Sequence, residues 1–236
     1  VHEYVNRLHF NYRDHRKIAC IDGDVAYTGG VNIADEYANI IERFGYWKDS
    51  GVCLEGEGAW GLTASFIRMC VNLGGVMHNE HDYYRPHTPV KSEGFCQPFT
   101  DGPQNNPDNP AEDVFLQMIS GARRFLYITT PYFIPDESLM RALCIAGDGG
   151  VDARLMLPGK PDHWYADCVA ESYFGELIKH GVKVYRYTPG FLHGKSIMVD
   201  REAAFVGSAN MDYRSFELDY ECGVMVYSCL LYTSDA

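Results

Sequence analysis

Residues 15–32, HRKIACIDGDVAYTGGVN, hold a spacing of polar residues that returns once more in the chain, at residues 193–210, as HGKSIMVDREAAFVGSAN. Both stretches have the form H-x-K-x4-D-x6-G-x-x-N. The positions that repeat are His15, Lys17, Asp22, Gly29 and Asn32 in the first copy and His193, Lys195, Asp200, Gly207 and Asn210 in the second.

The similarity continues beyond the motif itself. Asp49-Ser50-Gly51-Val52 follows the first copy, and the similar Glu221-Cys222-Gly223-Val224 follows the second. Two half-sites of the same composition predict one composite active site, to which each copy contributes.

The apolar residues of each copy predict two short strands around a turn. Asp22-Gly23 and Asp200-Arg201-Glu202 are typical turn sequences, with β-forming residues on either side. Because residues two apart on a strand face the same way, each His is expected beside its Lys. Gly29 and Gly207 lack a side chain where the backbone must turn sharply or approach an anion.

These motifs resemble the phospholipase D superfamily, whose duplicated HKD motif has this form, and within it the bacterial cardiolipin synthases. The stretches that carry the resemblance span nearly the whole chain: residues 12–17, 29–37, 130–137, 190–195 and 210–216. The resemblance implies an α/β fold in which two pseudo-twofold-related lobes of mixed β-sheet are flanked by helices, with the first lobe truncated. The family usually has Asn where Asp14 and Asp219 stand, so each exchange adds negative charge near a phosphate site.

Cleavage of a phosphodiester needs a nucleophile, a proton for the departing oxygen and compensation for the phosphate charge. An imidazole serves either of the first two roles near neutral pH. The resemblance implies that one His forms a covalent phosphohistidine, while the other protonates the leaving alcohol and deprotonates the incoming one. We assign His15 as the nucleophile and His193 as the general acid and base.

The cationic and amide residues of the motif are expected to bind the phosphate group. Lys17 and Lys195 hold its oxygens as fixed cations, and Asn32 and Asn210 donate amide hydrogen bonds to it.

The acidic residues are expected either to orient the imidazoles or to form turns. Asp49 and Glu221 are placed to accept the second N–H of an imidazole and so fix its tautomer, with Glu217 as a less favoured candidate. Asp22 and Asp200 are grouped with the catalytic motif, although a turn-forming role is favoured for both because Asp is a natural turn former.

Length and charge exclude several classes of protein. A chain of 236 residues, 46% of them hydrophobic, buries a core as one large or two small domains. A formal charge of −12 disfavours nucleic acid as a partner, because a basic stripe would be expected. No apolar run of about eighteen residues is present, so no transmembrane helix is predicted here. The resemblance implies anchoring helices upstream of Val1.

The cysteines and the remaining histidines give no sign of a metal or a cofactor. Eight cysteines show no C-x-x-C pair, which is typical of scattered thiols in a reducing compartment. His78 and His81 are close in sequence, but they lack a third ligand and are interpreted as part of a solvated loop. The expected chemistry requires neither metal nor cofactor.

The chain divides on sequence into four parts. Residues 1–76 are the remainder of the first lobe, 77–110 are a linker without an assigned element, and 111–228 are the second lobe. Residues 229–236 resemble a translated sequencing adapter and are excluded from fold reasoning. Helices and strands alternate in the second lobe, as in α/β proteins: helices at 111–120, 137–146 and 163–180, and strands at 125–129, 152–157, 182–187 and 221–227.

The function that the resemblance implies is phosphatidyl transfer between two phosphatidylglycerol molecules, giving cardiolipin and glycerol. The expected partners are these lipids and a membrane surface, at the cytoplasmic face of the bacterial inner membrane. Two alternatives stay open: a phospholipase D or related phosphodiesterase that passes the intermediate to water, and a catalytically silent membrane-binding relative. A nuclease ranks below them, because no basic groove with stacking aromatic residues is evident.

Overall fold

The computed structural model describes residues 11–77, 80–84, 94–103 and 109–228. Its helices are α1 (Glu57–Asn72), α2 (Pro110–Gly121), α3 (Glu137–Asp148), α4 (Trp164–Lys179) and α5 (Tyr213–Glu217), with one 3-10 turn at Glu80–Tyr83. Its strands are β1 (Arg13–Asp14), β2 (Ile18–Ile21), β3 (Val25–Gly29), β4 (Tyr46–Lys48), β5 (Gly51–Glu55), β6 (Gly94–Asp101), β7 (Phe125–Thr129), β8 (Phe133–Ile134), β9 (Asp152–Pro158), β10 (Lys183–Tyr187), β11 (Gly190–Leu192), β12 (Ser196–Val199), β13 (Ala203–Gly207), β14 (Met211–Asp212) and β15 (Asp219–Ser228).

The largest sheet has eight strands in the order β1-β15-β13-β12-β7-β9-β10, with β6 also paired to β15. Strands β7, β9 and β10 run parallel, whereas β12 and β13 form an antiparallel hairpin between β7 and β15. Parallel neighbours need long crossovers, which α3 and α4 provide. The predicted α/β fold of mixed sheet and flanking helices is confirmed.

The main core forms where the apolar residues of these strands meet the helices. Ile128, Leu155 and Ile197 come from three adjacent strands and are almost fully buried. The rings of Phe115, on α2, and Phe205, on β13, pack edge to face with centroids 4.9 Å apart. Burial of each such side chain contributes about 1.5–3 kcal/mol, so the second copy of the motif lies on a rigid support.

The first copy of the motif lies on a smaller sheet. Strands β2, β3 and β5 form an antiparallel sheet, and α1 packs on it. A separate core joins this sheet to β15 of the large one: it consists of Ala26, Leu54, Ala59, Leu62 and Val224. The two copies are therefore packed together through buried apolar residues.

Two short parallel strand pairs link the copies a second time. β1, just before His15, pairs with the start of β15, and β11, just before His193, pairs with β4. Each pair joins a segment next to one histidine to a segment next to the acid of the other copy. The topology thus brings both motifs to one place.

The predicted linker contains a strand that its sequence pattern did not reveal. β6 pairs antiparallel with β15 along eight residues, from Asp101 opposite Glu221 to Gly94 opposite Ser228. Pro98 argues against a central strand, but β6 lies at an edge, where a missing N–H is tolerated. The remaining predicted elements of the second lobe are confirmed, and β7 has the predicted bounds.

Two sequence predictions fall outside what the structure describes. These are the interpretation of residues 229–236 as an adapter and that of the His78 and His81 side chains as part of a loop. Among the described helices, none combines the length and the apolar character required to cross a bilayer.

Candidate active site

His15 is held in place where β1 meets β15. Its backbone N–H donates to the carbonyl oxygen of Tyr220 at 2.9 Å. Its Nδ1 lies 2.9 and 3.1 Å from the two carboxylate oxygens of Glu221, which is buried. Because a carboxylate only accepts, Nδ1 carries a proton, and Nε2 is the ring nitrogen that does not face Glu221. The hydroxyl of Ser208 donates to the same carboxylate and fixes it.

His193 is held in the same manner where β11 meets β4. Its backbone N–H donates to the carbonyl oxygen of Lys48 at 2.7 Å, and its Nδ1 lies 2.7 Å from Oδ2 of Asp49. Both side chains are less than 10% exposed. Gly30 provides the space for this acid, since a Cβ there would overlap with the carboxylate of Asp49.

Each acid therefore serves the histidine of the other copy. Asp49, which follows the first motif, orients His193, and Glu221, which follows the second motif, orients His15. The negative charges of both acids also act on Lys17, and the positive charge of Lys17 acts on His193. The two half-sites consequently form one electrostatic unit.

The two motif lysines lie beside their histidines. Nζ of Lys17 donates to the carbonyl oxygen of His15 at 2.5 Å, and Nζ of Lys195 donates to that of His193 at 2.7 Å. Burial lowers the pKa of Lys17, and it lowers that of the more deeply buried Lys195 to about 7. Bound phosphate would reverse part of this effect, because a neighbouring anion favours the charged amine.

The imidazole of His193 is strongly affected by its surroundings. Burial is the main cause that lowers its pKa to about 4; the hydrogen bond to Asp49 opposes this, and the charge of Lys195 adds to it. The ammonium nitrogen of Lys195 lies 2.8 and 2.9 Å from the two ring nitrogens. In the absence of an anion, His193 is therefore neutral.

The two motif asparagines also lie near this centre. Nδ2 of Asn32 donates to the hydroxyl of Tyr37 at 2.6 Å, and that hydroxyl lies 3.5 Å from Nε2 of His193. Asn210 is buried, and its backbone N–H donates to the hydroxyl of Ser215 at 3.0 Å. Its Oδ1 has no hydrogen-bond partner among the residues described. This atom is an acceptor, so a hydrogen bond to a phosphate oxygen would come from Nδ2 of the same side chain.

Of three other predicted acids, two bind groups other than the imidazoles and one is exposed. Asp200 is buried and accepts hydrogen bonds from the backbone N–H groups of residues 123, 124 and 125, which fixes the hairpin turn to the start of β7. Asp22 is exposed in the turn between β2 and β3, at φ +52°. Glu217 accepts from Nδ2 of Asn109 at 2.6 Å and not from an imidazole. Grouping Asp22 and Asp200 with the catalytic side chains therefore has no support in these contacts, because both serve turns.

Sequence reasoning missed the aromatic wall around His193. The rings of Tyr37, Trp47 and Phe191 have centroids 5.1, 5.4 and 6.0 Å from the imidazole. These three rings shield the imidazole of His193 from water, and that burial lowers its pKa. Tyr37 follows the motif asparagine by five residues, as Ser215 follows Asn210, and that shared spacing is the signal that would have revealed it.

The two added negative charges, at Asp14 and Asp219, both lie beside arginines. Asp14 accepts from Arg16 at 2.7 and 2.9 Å, and Asp219 lies 3.3 Å from Nε of Arg214. Burial raises the pKa of Asp219. The extra charge next to the phosphate-binding groups is therefore largely neutralised.

Donor atoms of His15, Asp219 and Glu221 lie within 4.8 Å of one another, as metal ligands would. A metal there would displace the Nδ1 proton that binds Glu221 and would compete with the guanidinium of Arg214 for Asp219. The arrangement fits an oriented imidazole better than a metal centre.

Comparison with known proteins shows the same family along the chain. The family described as cardiolipin synthase, PLD-like domain, matches residues 115–233. A cardiolipin synthase of Listeria welshimeri is 40% identical over 220 residues, which cover 92% of this chain and 45% of that protein. One of Halalkalibacterium halodurans is 42% identical over 218 residues, covering 92% and 43%. This chain spans about half the length of the curated relatives it matches.

A solved structure shows the same fold. The phosphatidylserine synthase of Haemophilus influenzae Rd KW20 matches 93% of this chain and 58% of its own, with a TM-score of 0.68 and 16% sequence identity. At that identity the match concerns the fold alone.

Proposed function

This chain belongs to the family of cardiolipin synthases with a phospholipase D-like domain, and we propose on that premise that its composite site transfers a phosphatidyl group between two phosphatidylglycerol molecules. The products are cardiolipin and glycerol. The observation that carries the proposal is the reciprocal pair of imidazoles, each with Nδ1 bound to a buried carboxylate of the other copy.

In the first step, Nε2 of one imidazole attacks the phosphorus of the donor lipid. The bond from phosphorus to the headgroup glycerol oxygen breaks, and the second imidazole, in its protonated form, gives its proton to that oxygen. The result is a phosphatidyl-histidine and free glycerol. The orienting carboxylates keep Nδ1 protonated throughout, so that Nε2 is the reacting atom in both rings.

In the second step, the now neutral second imidazole takes the proton of a headgroup hydroxyl on the acceptor lipid. That oxygen attacks phosphorus, the bond from nitrogen to phosphorus breaks, and cardiolipin leaves. Both histidines return to their starting states, so no metal or nucleotide is consumed. Lys17, Lys195, Asn32 and Asn210 are the groups that we assign to the non-bridging phosphate oxygens.

Which imidazole attacks is a separate question. The assignment of His15 as nucleophile stays a prediction. The lowered pKa of His193 favours the opposite order, because attack on phosphorus requires a neutral ring. His15 is the more exposed ring, which suits a group that exchanges protons with leaving and entering alcohols.

A membrane surface is the partner that the surroundings of the site favour. Val31 and Ile33 flank Asn32, and both are exposed, as are Ile40 and Ile41 further along the same loop. Apolar side chains exposed beside a catalytic mouth are typical of surfaces that meet a membrane or another protein.

A second exposed set, of aromatic residues, lies at the start of α4. Trp164 and Tyr165 begin α4 and are exposed. The ring of Tyr165 lies 5.4 Å from that of His163, which lies 6.1 Å from Tyr132. Trp and Tyr are favoured where protein meets lipid headgroups, so this edge suits a bilayer interface.

Vesicles of phosphatidylglycerol test the membrane surface. Replacing both Ile33 and Ile40 by Ser should reduce the fraction of protein that floats with vesicles. Ile145→Ser, at another exposed apolar position, on α3, is the control and should change nothing. Equal losses in both proteins would contradict a local docking surface.

Hydrolysis is the alternative that the same intermediate permits, because water can replace the second alcohol. The products decide between the two. The intact protein, given phosphatidylglycerol in mixed micelles, should release cardiolipin and glycerol in equal amounts. Phosphatidic acid without cardiolipin would replace transfer by phospholipase D activity, and no product from the pure protein would favour a catalytically silent relative.

A further inference from the structure

A second group of metal-binding side chains lies where the carboxyl ends of α3 and α4 meet. Cys144 and Asp148 are four residues apart on α3, and Glu176 and His180 are four residues apart at the end of α4. Residues at this spacing lie on one face of a helix. Donor atoms of Cys144, Glu176 and His180 all lie within 4.8 Å of one another, so the two pairs face each other.

His180 is oriented as a metal-binding imidazole would be. Its Nδ1 lies 2.8 Å from Oδ2 of Asp148, and its Nε2 lies 3.1 Å from Oε1 of Glu176. A ligating imidazole usually donates its other N–H to a carboxylate, which sets the tautomer and the ring orientation. Asp148 provides that carboxylate, and Nε2 then points at Glu176.

The backbone adds negative potential at the same position. Helix carboxyl ends carry unsatisfied carbonyl groups and the negative end of the helix dipole, which attract cations. Here two such ends converge, at Asp148 and at the cap residue His180. Lys179 lies 3.9 Å from Oε2 of Glu176 and is an exposed competitor. It can turn to solvent at little cost because surface ion pairs are weak.

We propose that Cys144, Glu176 and His180 bind one zinc ion, with water as the fourth ligand and Asp148 holding the imidazole. A thiolate, an imidazole and a carboxylate are the ligands that zinc accepts in tetrahedral geometry, whereas magnesium and calcium prefer oxygen alone. Binding forms one bond each to sulfur, nitrogen and oxygen. The thiol proton of Cys144 and the Nε2 proton of His180 that faces Glu176 pass to solvent, so affinity rises with pH.

The ion would clamp α3 to α4 and take no part in phosphate chemistry. The carboxyl ends of these helices lead into the starts of β9 and β10. The paired histidines lie at the opposite end of the sheet, where Thr130 follows β7 and its hydroxyl accepts from the backbone N–H of Met211, next to Asn210. The proposal is thus independent of the proposed function.

Cobalt titration of the metal-stripped, reduced protein tests the site, because cobalt reports thiolate ligation by a near-ultraviolet charge-transfer band. We expect saturation at one cobalt per chain and its displacement by zinc. Zinc at about a hundredfold excess over its Kd should raise the melting temperature by roughly 5 °C. Asp148→Asn should weaken binding by about 10- to 100-fold, as loss of a supporting hydrogen bond does elsewhere.

The control uses a thiol outside the proposed ligand set. Cys168→Ser, on α4 and exposed, should keep the band, whereas Cys144→Ser and His180→Gln should lose it. Circular dichroism of each variant shows whether it has folded. A band that persists in folded Cys144→Ser, or no band in the wild-type protein, would overturn the proposal.

Discussion

The two copies of the motif share their spacing but not their surroundings. The first lies on a three-stranded sheet, with His15 partly exposed and Asp22 in solvent. The second lies within the eight-stranded sheet, with Lys195 and Asp200 buried. In both copies, the histidine is bound by the acid that follows the other copy. The difference shows that the motif specifies the reacting atoms, whereas the sheet around each copy sets their burial and charge.

The largest effect should come from removing either ring. We expect His15→Ala and His193→Ala each to reduce turnover of phosphatidylglycerol by at least about a thousandfold, despite their unequal burial, because they act as one unit. Turnover is measured as cardiolipin formed by the intact protein. Near-normal synthesis by either variant would reject the shared mechanism.

An aryl phosphodiester sharpens the comparison of the two rings. Its leaving group departs without a proton, so the variant that lacks only the acid should still release one equivalent of phenol in a burst and stay phosphorylated. The variant that lacks the nucleophile should give no burst. A burst from His193→Ala supports His15 as nucleophile, one from His15→Ala reverses the assignment, and bursts from both exclude a single nucleophile.

A smaller loss should follow when the exchanged acids are made neutral. Asp49→Asn and Glu221→Gln should each reduce kcat by about 100-fold, because the remaining amide no longer stabilises an imidazolium or fixes one tautomer. Asp49→Asn should also lower the pKa of His193, since this carboxylate is the group that raises it. Chemical-shift titration of the ring follows that change.

Glu217→Gln is the matched control for this pair. Its carboxylate binds Asn109 and touches neither ring, so turnover should stay within about twofold of wild type. A loss as large as that of Glu221→Gln would return Glu217 to the orienting role that the structure gives to Glu221.

Much of this arrangement is local and so was predictable. Strand periodicity and turn residues predict both hairpins, and a shared spacing places Asp49 and Glu221 as equivalent acids. The exchange was not predictable, because it depends on which strands pair over long distances. The pairing of β1 with β15 and of β11 with β4 decides it, and no local pattern encodes a register between residues 144 or 206 positions apart.

Two further features depended on tertiary context. β6 contains a proline and an exposed run from Phe95 to Gln97. Its strand forms because β15 offers an edge to pair with and α1 packs on it. Gly30 and Ser208 occupy equivalent positions in the two copies. Gly30 leaves room for the carboxylate of Asp49, whereas the hydroxyl of Ser208 donates to the carboxylate of Glu221. Their roles follow from the neighbours that folding brings to them.

The smallest effects concern the two motif aspartates that form turns. Asp200→Asn should reduce the free energy of unfolding by about 1–3 kcal/mol, because its new NH2 group faces the N–H of residue 123. Asp22→Asn should change it by less than about 0.5 kcal/mol. Both residues have φ near +50°, which Asn tolerates, so neither substitution adds backbone strain. Urea unfolding measures both.

The pH dependence separates the anchored aspartate from the exposed one. Burial alone would raise the pKa of Asp200, but its three backbone N–H donors and the charge of Arg124 lower it below the ordinary value. A lowered carboxyl pKa means that Asp200 stabilises the fold above the ordinary carboxyl pKa and loses this effect as pH falls through its own. The difference in the free energy of unfolding between wild type and Asp200→Asn should therefore be largest at neutral pH and smaller in acid. If this difference in the free energy of unfolding did not change with pH, packing of the turn, and not the charge of the carboxylate, would hold the second copy to β7.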